Sequence, residues 1–130
     1  MSRENVEAVH ELAEAVGRQD LPTFLRLTDP DVEWHTALAV IAQGEAYRGH
    51  AGLRQFVRDY SEAYDRYEVD LEDQLALDDL VIAAGLLRSV GKASGVEQVV
   101  HVGWLFKFRH GKVVYLRAFR DPKQALEAVG

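Results

Sequence analysis

The sequence predicts an α+β fold in which N-terminal helices pack over one face of a curved antiparallel sheet, and three observations carry that prediction. Apolar residues recur at helical spacing through most of the first half of the chain. They alternate at strand spacing through the second half. The dipeptide His110-Gly111 stands between two alternating runs as a two-residue hairpin turn.

Val6, Val9, Ala13 and Val16, with Leu12 beside them, form one helical stripe that stops at Gly17, a residue suited to the position after a helix end. Asp20 is the expected N-cap of a short second helix with Pro22 in its first turn and Phe24, Leu25 and Leu27 facing inward; Asp29-Pro30 follows its end. Val32, Trp34 and Thr36 alternate with Glu33 and His35 as a short strand, and Gln43 to Gly49 reads as a loop. From His50 a third helix carries Leu53, Phe56, Val57, Tyr60, Tyr64 and Tyr67. Strands are expected over Val69 to Leu77, Leu80 to Val90, Val96 to Arg109 and Lys112 to Arg120, separated by Asp78-Asp79, Gly91 to Gly95 and His110-Gly111. Asp121-Pro122-Lys123-Gln124 has the pattern of a capping box and opens a C-terminal helix that ends at Gly130.

A regular hairpin at His110-Gly111 pairs Arg109 with Lys112 and fixes every other partner. Phe108 then faces Val113, Phe106 faces Tyr115, Trp104 faces Arg117 and Val102 faces Phe119, all on one aromatic face that Asp121 ends. An arginine among aromatics is the make-up of a ligand pocket. The other face carries Val99, His101, Gly103, Leu105, Val114, Leu116 and Ala118, too apolar for solvent, and is read as the interface of a two-fold homodimer.

At 130 residues the chain fits a single domain spanning 1–130, with 48% hydrophobic and 28% charged residues, an ordinary globular balance. A net charge of −6 repels a phosphate backbone and argues against nucleic acid. The absence of cysteine excludes disulfides, thiolate metal sites and a cysteine nucleophile. Neither an apolar signal core nor a run approaching the ~20 residues of a membrane span is present, so the expected location is the cytoplasm, with no membrane partner. No metal motif, phosphate-binding glycine loop or G-x-S-x-G setting occurs, so no metal or cofactor is expected.

The Gln19-Asp20 helix start, Asp29-Pro30-Asp31-Val32-Glu33-Trp34, Tyr47-Arg48-Gly49, the Phe108 to Val113 hairpin and Asp121 through Ala125-Leu126 together resemble the nuclear transport factor 2-like superfamily, in its SnoaL-like branch. The resemblance spans nearly the whole chain and implies a cone-shaped, cystatin-like roll with a deep pocket between helices and concave sheet, usually dimeric through the sheet. Similar folds include polyketide cyclases, ketosteroid isomerases, limonene epoxide hydrolases, dehydratases and domains with no known reaction. The resemblance therefore implies a pocket for an apolar or polycyclic small molecule, either a cofactor-free isomerase, cyclase, dehydratase or hydrolase, or a non-catalytic ligand-binding or dimerisation domain. In many SnoaL-like sequences a histidine stands where this chain has Trp104, whereas Asp121 matches a family aspartate that acts as acid or base in the polyketide cyclases.

Three residues are candidates for chemistry. Asp121 is either a helix N-cap or a pocket acid or base, and His35 is an alternative proton carrier. Arg117 would stabilise an oxyanion, pair with Asp121 or stack on Trp104. Trp34, Tyr47, Phe56, Tyr60, Tyr64, Trp104, Phe106, Tyr115 and Phe119 are candidate pocket walls, or the filling of a solid core. Arg88, on a face with Ile82, Ala84 and Leu86, is a further ligand-binding candidate that otherwise reaches the rim. His101 lies on the suspected dimer face.

Overall fold

The computed structural model describes residues 2–36 and 46–128. Helix α1 (Ser2–Arg18) buries Ala8, Val9, Leu12, Ala15 and Val16 on one stripe. It runs past Gly17, and the left-handed residue that ends it is Gln19, at φ 54°. Helix α2 (Leu21–Leu27) begins as expected at Asp20, whose carboxylate accepts from the Thr23 backbone N–H at 3.3 Å and the Thr23 hydroxyl at 2.7 Å.

Strand β1 (Thr28–His35) starts four residues before Val32 and takes in Asp29-Pro30. Its pairing is irregular between Thr28 and Glu33, so the missing Pro30 N–H falls where the ladder is already broken. The short strand β2 (Tyr47–Arg48) lies in the stretch read as loop; the rest of that loop, apart from Ala46 and Gly49, falls outside the described residues. Helix α3 (Gly49–Ala63) buries Leu53, Phe56 and Tyr60. Strand β3 (Tyr64–Leu77) follows at once, so Tyr64 and Tyr67 belong to the sheet and not to the helix. Their i+3 spacing imitates a helical stripe, but pairing across to Gly91 and Ser89 decides the conformation.

Strands β4 (Leu80–Gly91), β5 (Glu97–Arg109) and β6 (Lys112–Phe119) complete one sheet of order β2-β1-β6-β5-β4-β3. Every pairing is antiparallel except β1 with β6, which is parallel. The fold class is mixed α+β with a curved, open sheet and helices at the N-terminus.

The hairpin turn has positive φ at both His110 (54°) and Gly111 (76°), as a tight two-residue connection requires. The register beyond it corrects the regular ladder. Phe108 faces Val113, but Lys107 faces Tyr115, so Val114 is an extra residue in β6. Since side chains alternate, this one bulge turns Tyr115, Arg117 and Phe119 to the convex face and brings Leu116 and Ala118 to the concave face with Trp104 and Phe106.

The main core joins α1, α2 and α3 to the concave face through Phe24, Trp34, Phe56, Val81, Trp104 and Phe106, among others. On the convex face α4 (Pro122–Glu127) seals a smaller cluster of Ile82, Leu105 and Ala125, against which Leu80 and Phe119 pack. Gly103 makes that contact possible: a Cβ there would stand 2.7 Å from Pro122 Cα and 3.2 Å from Ala125 Cβ. No helix among the described residues is long and apolar enough to cross a membrane.

Candidate functional site

Between α1, α3 and the concave sheet lies a cavity of about 1020 Å³, open to solvent. Its inner wall is aromatic and aliphatic: Trp34 from β1, Phe56 from α3, Trp104 and Phe106 from β5, Leu116 from β6 and Leu12 from α1. All six are buried, because each sits on the inward side of its element. A smaller, polar hollow of about 120 Å³ adjoins Tyr60, Tyr64 and Tyr67.

The aromatics form one continuous series. Phe24 meets Trp34 edge to face at 5.9 Å, Trp34 meets Phe56 at 5.9 Å, and Phe56 meets Tyr60 at 5.1 Å. Tyr60 stacks on Tyr67 at 4.8 Å, and Tyr67 touches Tyr64 at 5.1 Å. Such contacts add a fraction of a kcal/mol to about 1.5 kcal/mol each beyond area burial and hold the wall rigid. Among the described residues the buried Trp34 indole N–H has no hydrogen-bond acceptor, at a cost of about 1–3 kcal/mol.

The tyrosines divide by role. The Tyr47 hydroxyl donates to Asp59 at 2.6 Å behind Phe56, and the Tyr60 hydroxyl donates to the Val16 carbonyl at 2.7 Å, so both brace the wall from outside the main cavity. Tyr64 and Tyr67 line it. Burial, reinforced by neighbouring Tyr64, pushes the Tyr67 phenol well above its ordinary value and keeps it a neutral donor. Burial does the same at Tyr47 and Tyr60.

One end of the cavity is polar. His35 and Thr36 come from the end of β1, Arg117 and Arg120 from the end of β6 and just beyond, and Gln98 and His101 from the part of β5 that extends past its pairing with β6. Gln98, His101, Arg117 and Arg120 are exposed, which puts the mouth at this end. His35 Nε2 lies 3.3 Å from Glu33 Oε2, and its ring packs 5.1 Å from Tyr115. Hydrogen bonds from His35 and then Arg48 hold the Glu33 carboxyl below the usual carboxylate range.

Several expected site residues lie elsewhere. Asp121 caps α4 in a full capping box: its carboxylate accepts from Lys123 N at 2.9 Å, and Gln124 Oε1 accepts from Asp121 N at 3.4 Å. It is exposed and does not line the cavity. Arg88 points from the convex face and pairs with Asp70 at 2.6 Å, away from the cavity. Tyr115 lies under the Lys107 ammonium on the convex side. Arg117 and Phe119 border the mouth from that side, the Arg117 guanidinium 5.5 Å from the Phe119 ring centroid and not on Trp104.

The sequence reading missed Tyr67 as a strand residue, together with Ser89, Gln98 and Arg120 in the lining. Ser89 and Gln98 face each other across β4 and β5, a pairing that the two strand registers could have revealed. Among the described residues no group of three or more His, Asp or Glu is placed to hold a metal ion.

The SnoaL-like domain family matches residues 9–116, which takes in every element from most of α1 to the middle of β6. The chain belongs to the SnoaL-like domain family. No curated protein matches it. Among solved structures it is similar to a nuclear transport factor 2-like protein of unknown function from Burkholderia pseudomallei, at 21% identity and a TM-score of 0.81, covering 95% of each chain. It is also similar to TerC, co-crystallised with polyporic acid, at 20% identity and a TM-score of 0.80 over 95% of this chain and 96% of that one. A candidate SnoaL-like polyketide cyclase from Jannaschia is 23% identical, with a TM-score of 0.76 over 98% and 92% of the two chains. At such identities the likeness is one of fold.

Proposed function

We propose that this SnoaL-like protein takes an apolar or polycyclic small molecule into the cavity behind its helices and acts on it without a cofactor, as an isomerase, cyclase, dehydratase or hydrolase. The observation that carries the reading is the cavity itself, about 1020 Å³ with Trp34, Phe56, Trp104 and Phe106 on its inner wall. That size and lining suit a molecule of several rings. The neighbour crystallised with polyporic acid and the polyketide cyclase-like neighbour support a ring-bearing ligand by analogy of fold.

In this reading His35 moves the proton. The end of β1 that carries it borders the mouth, its ring lies against Tyr115, and the ionised Glu33 beside it orients the ring and supports the imidazolium. The Tyr67 hydroxyl, in the lining, supplies a hydrogen bond for a developing oxyanion. A second reading, binding without turnover, is favoured by one observation: no carboxylate lines the cavity among the described residues, so a carboxylate base is missing.

Both tryptophans of the chain line the cavity, so intrinsic fluorescence reports occupancy directly. An uncharged aromatic probe, N-phenylnaphthylamine, is expected to quench tryptophan emission saturably, with Trp104→Ala weakening both affinity and signal. Absence of any saturable change would remove the pocket reading. A ligand that binds and is turned over by the wild type but not by His35→Gln supports catalysis, whereas equal turnover excludes His35.

A further inference from the structure

A row of three polar side chains crosses three strands on the concave face. Tyr67 of β3 pairs with Ser89 of β4, and Ser89 pairs with Gln98 of β5, so the three stand side by side and all line the cavity. Directly paired residues hold their Cβ atoms about 4.5–5.5 Å apart. Among the described residues none of the three side chains makes a hydrogen bond, whereas the Tyr47 hydroxyl is taken up by Asp59 and the Tyr60 hydroxyl by the Val16 carbonyl. Ser89 is only 7% exposed and belongs to a strand paired on both sides, and alanine would fill its place without burying a free hydroxyl. The next two rows along these strands, Val69-Leu87-Val100 and Leu71-Gly85-Val102, are apolar, so the polar row gives way at once to an apolar stretch.

The row is neutral throughout. Burial, with Tyr64 beside it, keeps the Tyr67 phenol protonated, and a serine hydroxyl and a glutamine amide carry no charge. Two hydroxyls and an amide together offer several donors and acceptors to an uncharged oxygen but give an ion no countercharge. Given the pocket reading, on which this rests, we infer that Tyr67, Ser89 and Gln98 form a hydrogen-bonding subsite for one uncharged oxygen of the bound molecule, a carbonyl or a hydroxyl, and that this subsite sets which end of the molecule lies toward the mouth. Orientation needs such a point of attachment, because an aromatic and aliphatic wall holds a flat apolar body equally well in either direction. Gln98, exposed at the mouth, closes the row on the solvent side. Tyr67 stacks on Tyr60 at 4.8 Å, and the series continues through Phe56 to Trp34, so a body attached at the row has the aromatic wall within reach.

A matched pair of dyes tests this. Prodan carries a ketone on a dimethylaminonaphthalene, and dimethylaminonaphthalene itself is the same skeleton without it. Prodan is expected to bind the wild type about tenfold more tightly than the parent, corresponding to ~1.4 kcal/mol. Its bound emission should also lie to the red, because a hydrogen bond to the ketone stabilises the excited state. Tyr67→Phe with Ser89→Ala should abolish the preference and move the bound emission to the blue, while the parent dye binds as before. Tyr67→Phe with Ser89→Thr, which keeps one hydroxyl on a residue suited to a strand, should restore part of both. The urea midpoint of the Phe and Ala double variant should equal or exceed that of the wild type, since no hydrogen bond within the protein is lost. A lowered midpoint would return the two hydroxyls to a structural role and overturn the subsite. Equal affinity of the two dyes for the wild type, or a preference that survives the double variant, overturns it while leaving the pocket intact. Binding of neither dye removes the pocket reading and the subsite with it.

Discussion

The ammonium of Lys107 sits 4.9 Å from the ring centroid of Tyr115, directly across the β5–β6 hairpin, where an unbroken ladder would have put Phe106. That displacement by one residue at Val114 decides the composition of the cavity wall. It carries Leu116, 3% exposed, inward and leaves Tyr115 on the convex surface. Leu116→Ala is therefore expected to cost about 2–5 kcal/mol of unfolding free energy, while Tyr115→Ala costs far less. Urea denaturation of the two variants checks this; the opposite ranking would restore the unbroken register.

The overall order of elements was legible in the sequence because it rests on periodicity and on turn residues that have few alternatives. His110-Gly111 and the capping box at Asp121 are cases in which local chemistry and tertiary structure agree. The faces of β6 were not legible. Val114 is an ordinary strand residue, and nothing in its chemistry marks it as the unpaired one; the bulge is set by how two strands fit the curvature of the sheet. Tyr64 and Tyr67 were misplaced for a related reason, since i, i+3 spacing of aromatics occurs on a helix and by chance in a strand. The mouth needed several chain segments brought together, and Arg120 and Gln98 carry no local signal of that meeting.

The full capping box at Asp121 predicts separable effects of two substitutions. Asparagine caps nearly as well as aspartate, so Asp121→Asn should leave stability and any turnover almost unchanged. Asp121→Ala removes the acceptor for Lys123 N and should cost about 1 kcal/mol. Loss of turnover in a stable Asp121→Asn protein would return this carboxylate to the mechanism.

Two carboxyls predict the acid limb of stability. Asp20 is held below its ordinary value of 3.8 chiefly by the Thr23 hydroxyl and backbone N–H, and Glu33 below 4.5 by His35 and then Arg48. A carboxyl with a lower pKa in the folded state stabilises fully above its unfolded value, and that contribution is lost as pH falls through the folded value. Urea midpoints should thus hold above about pH 5 and fall below about pH 4. In the Asp20→Asn, Glu33→Gln double variant this fall should be shallower; an identical fall would place the acid sensitivity elsewhere.

The contact of α4 with the convex face turns on Gly103, because a methyl group there meets Pro122 Cα at 2.7 Å and Ala125 Cβ at 3.2 Å. Gly103→Ala should lift α4 off Ile82 and Leu105 without disturbing the main core. Hydrogen exchange is expected to quicken at Gln124 to Ala128 while α1 and β4 keep their protection. Uniform loss of protection would mean that the two cores unfold as one.

The convex face beyond α4 leads to the last prediction, which concerns pairing of two copies through the sheet. Leu105 and Leu116, obvious targets if both faced a partner, are 4% and 3% exposed within one chain, so a charge at either would unfold the monomer instead of reporting on association. Val99 and Leu75 are 45% and 46% exposed and lie on the same face of the sheet, Val99 across from Arg88 and Leu75 across from Ile82. A monomer tolerates charge at such positions, whereas an interface that buries them does not. Sedimentation equilibrium of the wild type at micromolar concentration is expected to give twice the 14.6 kDa chain mass. Val99→Glu should give the single chain mass with its unfolding midpoint at high dilution unchanged. A wild type that sediments as one chain at every concentration, or a Val99→Glu protein that still sediments as two, would rule out pairing through this face.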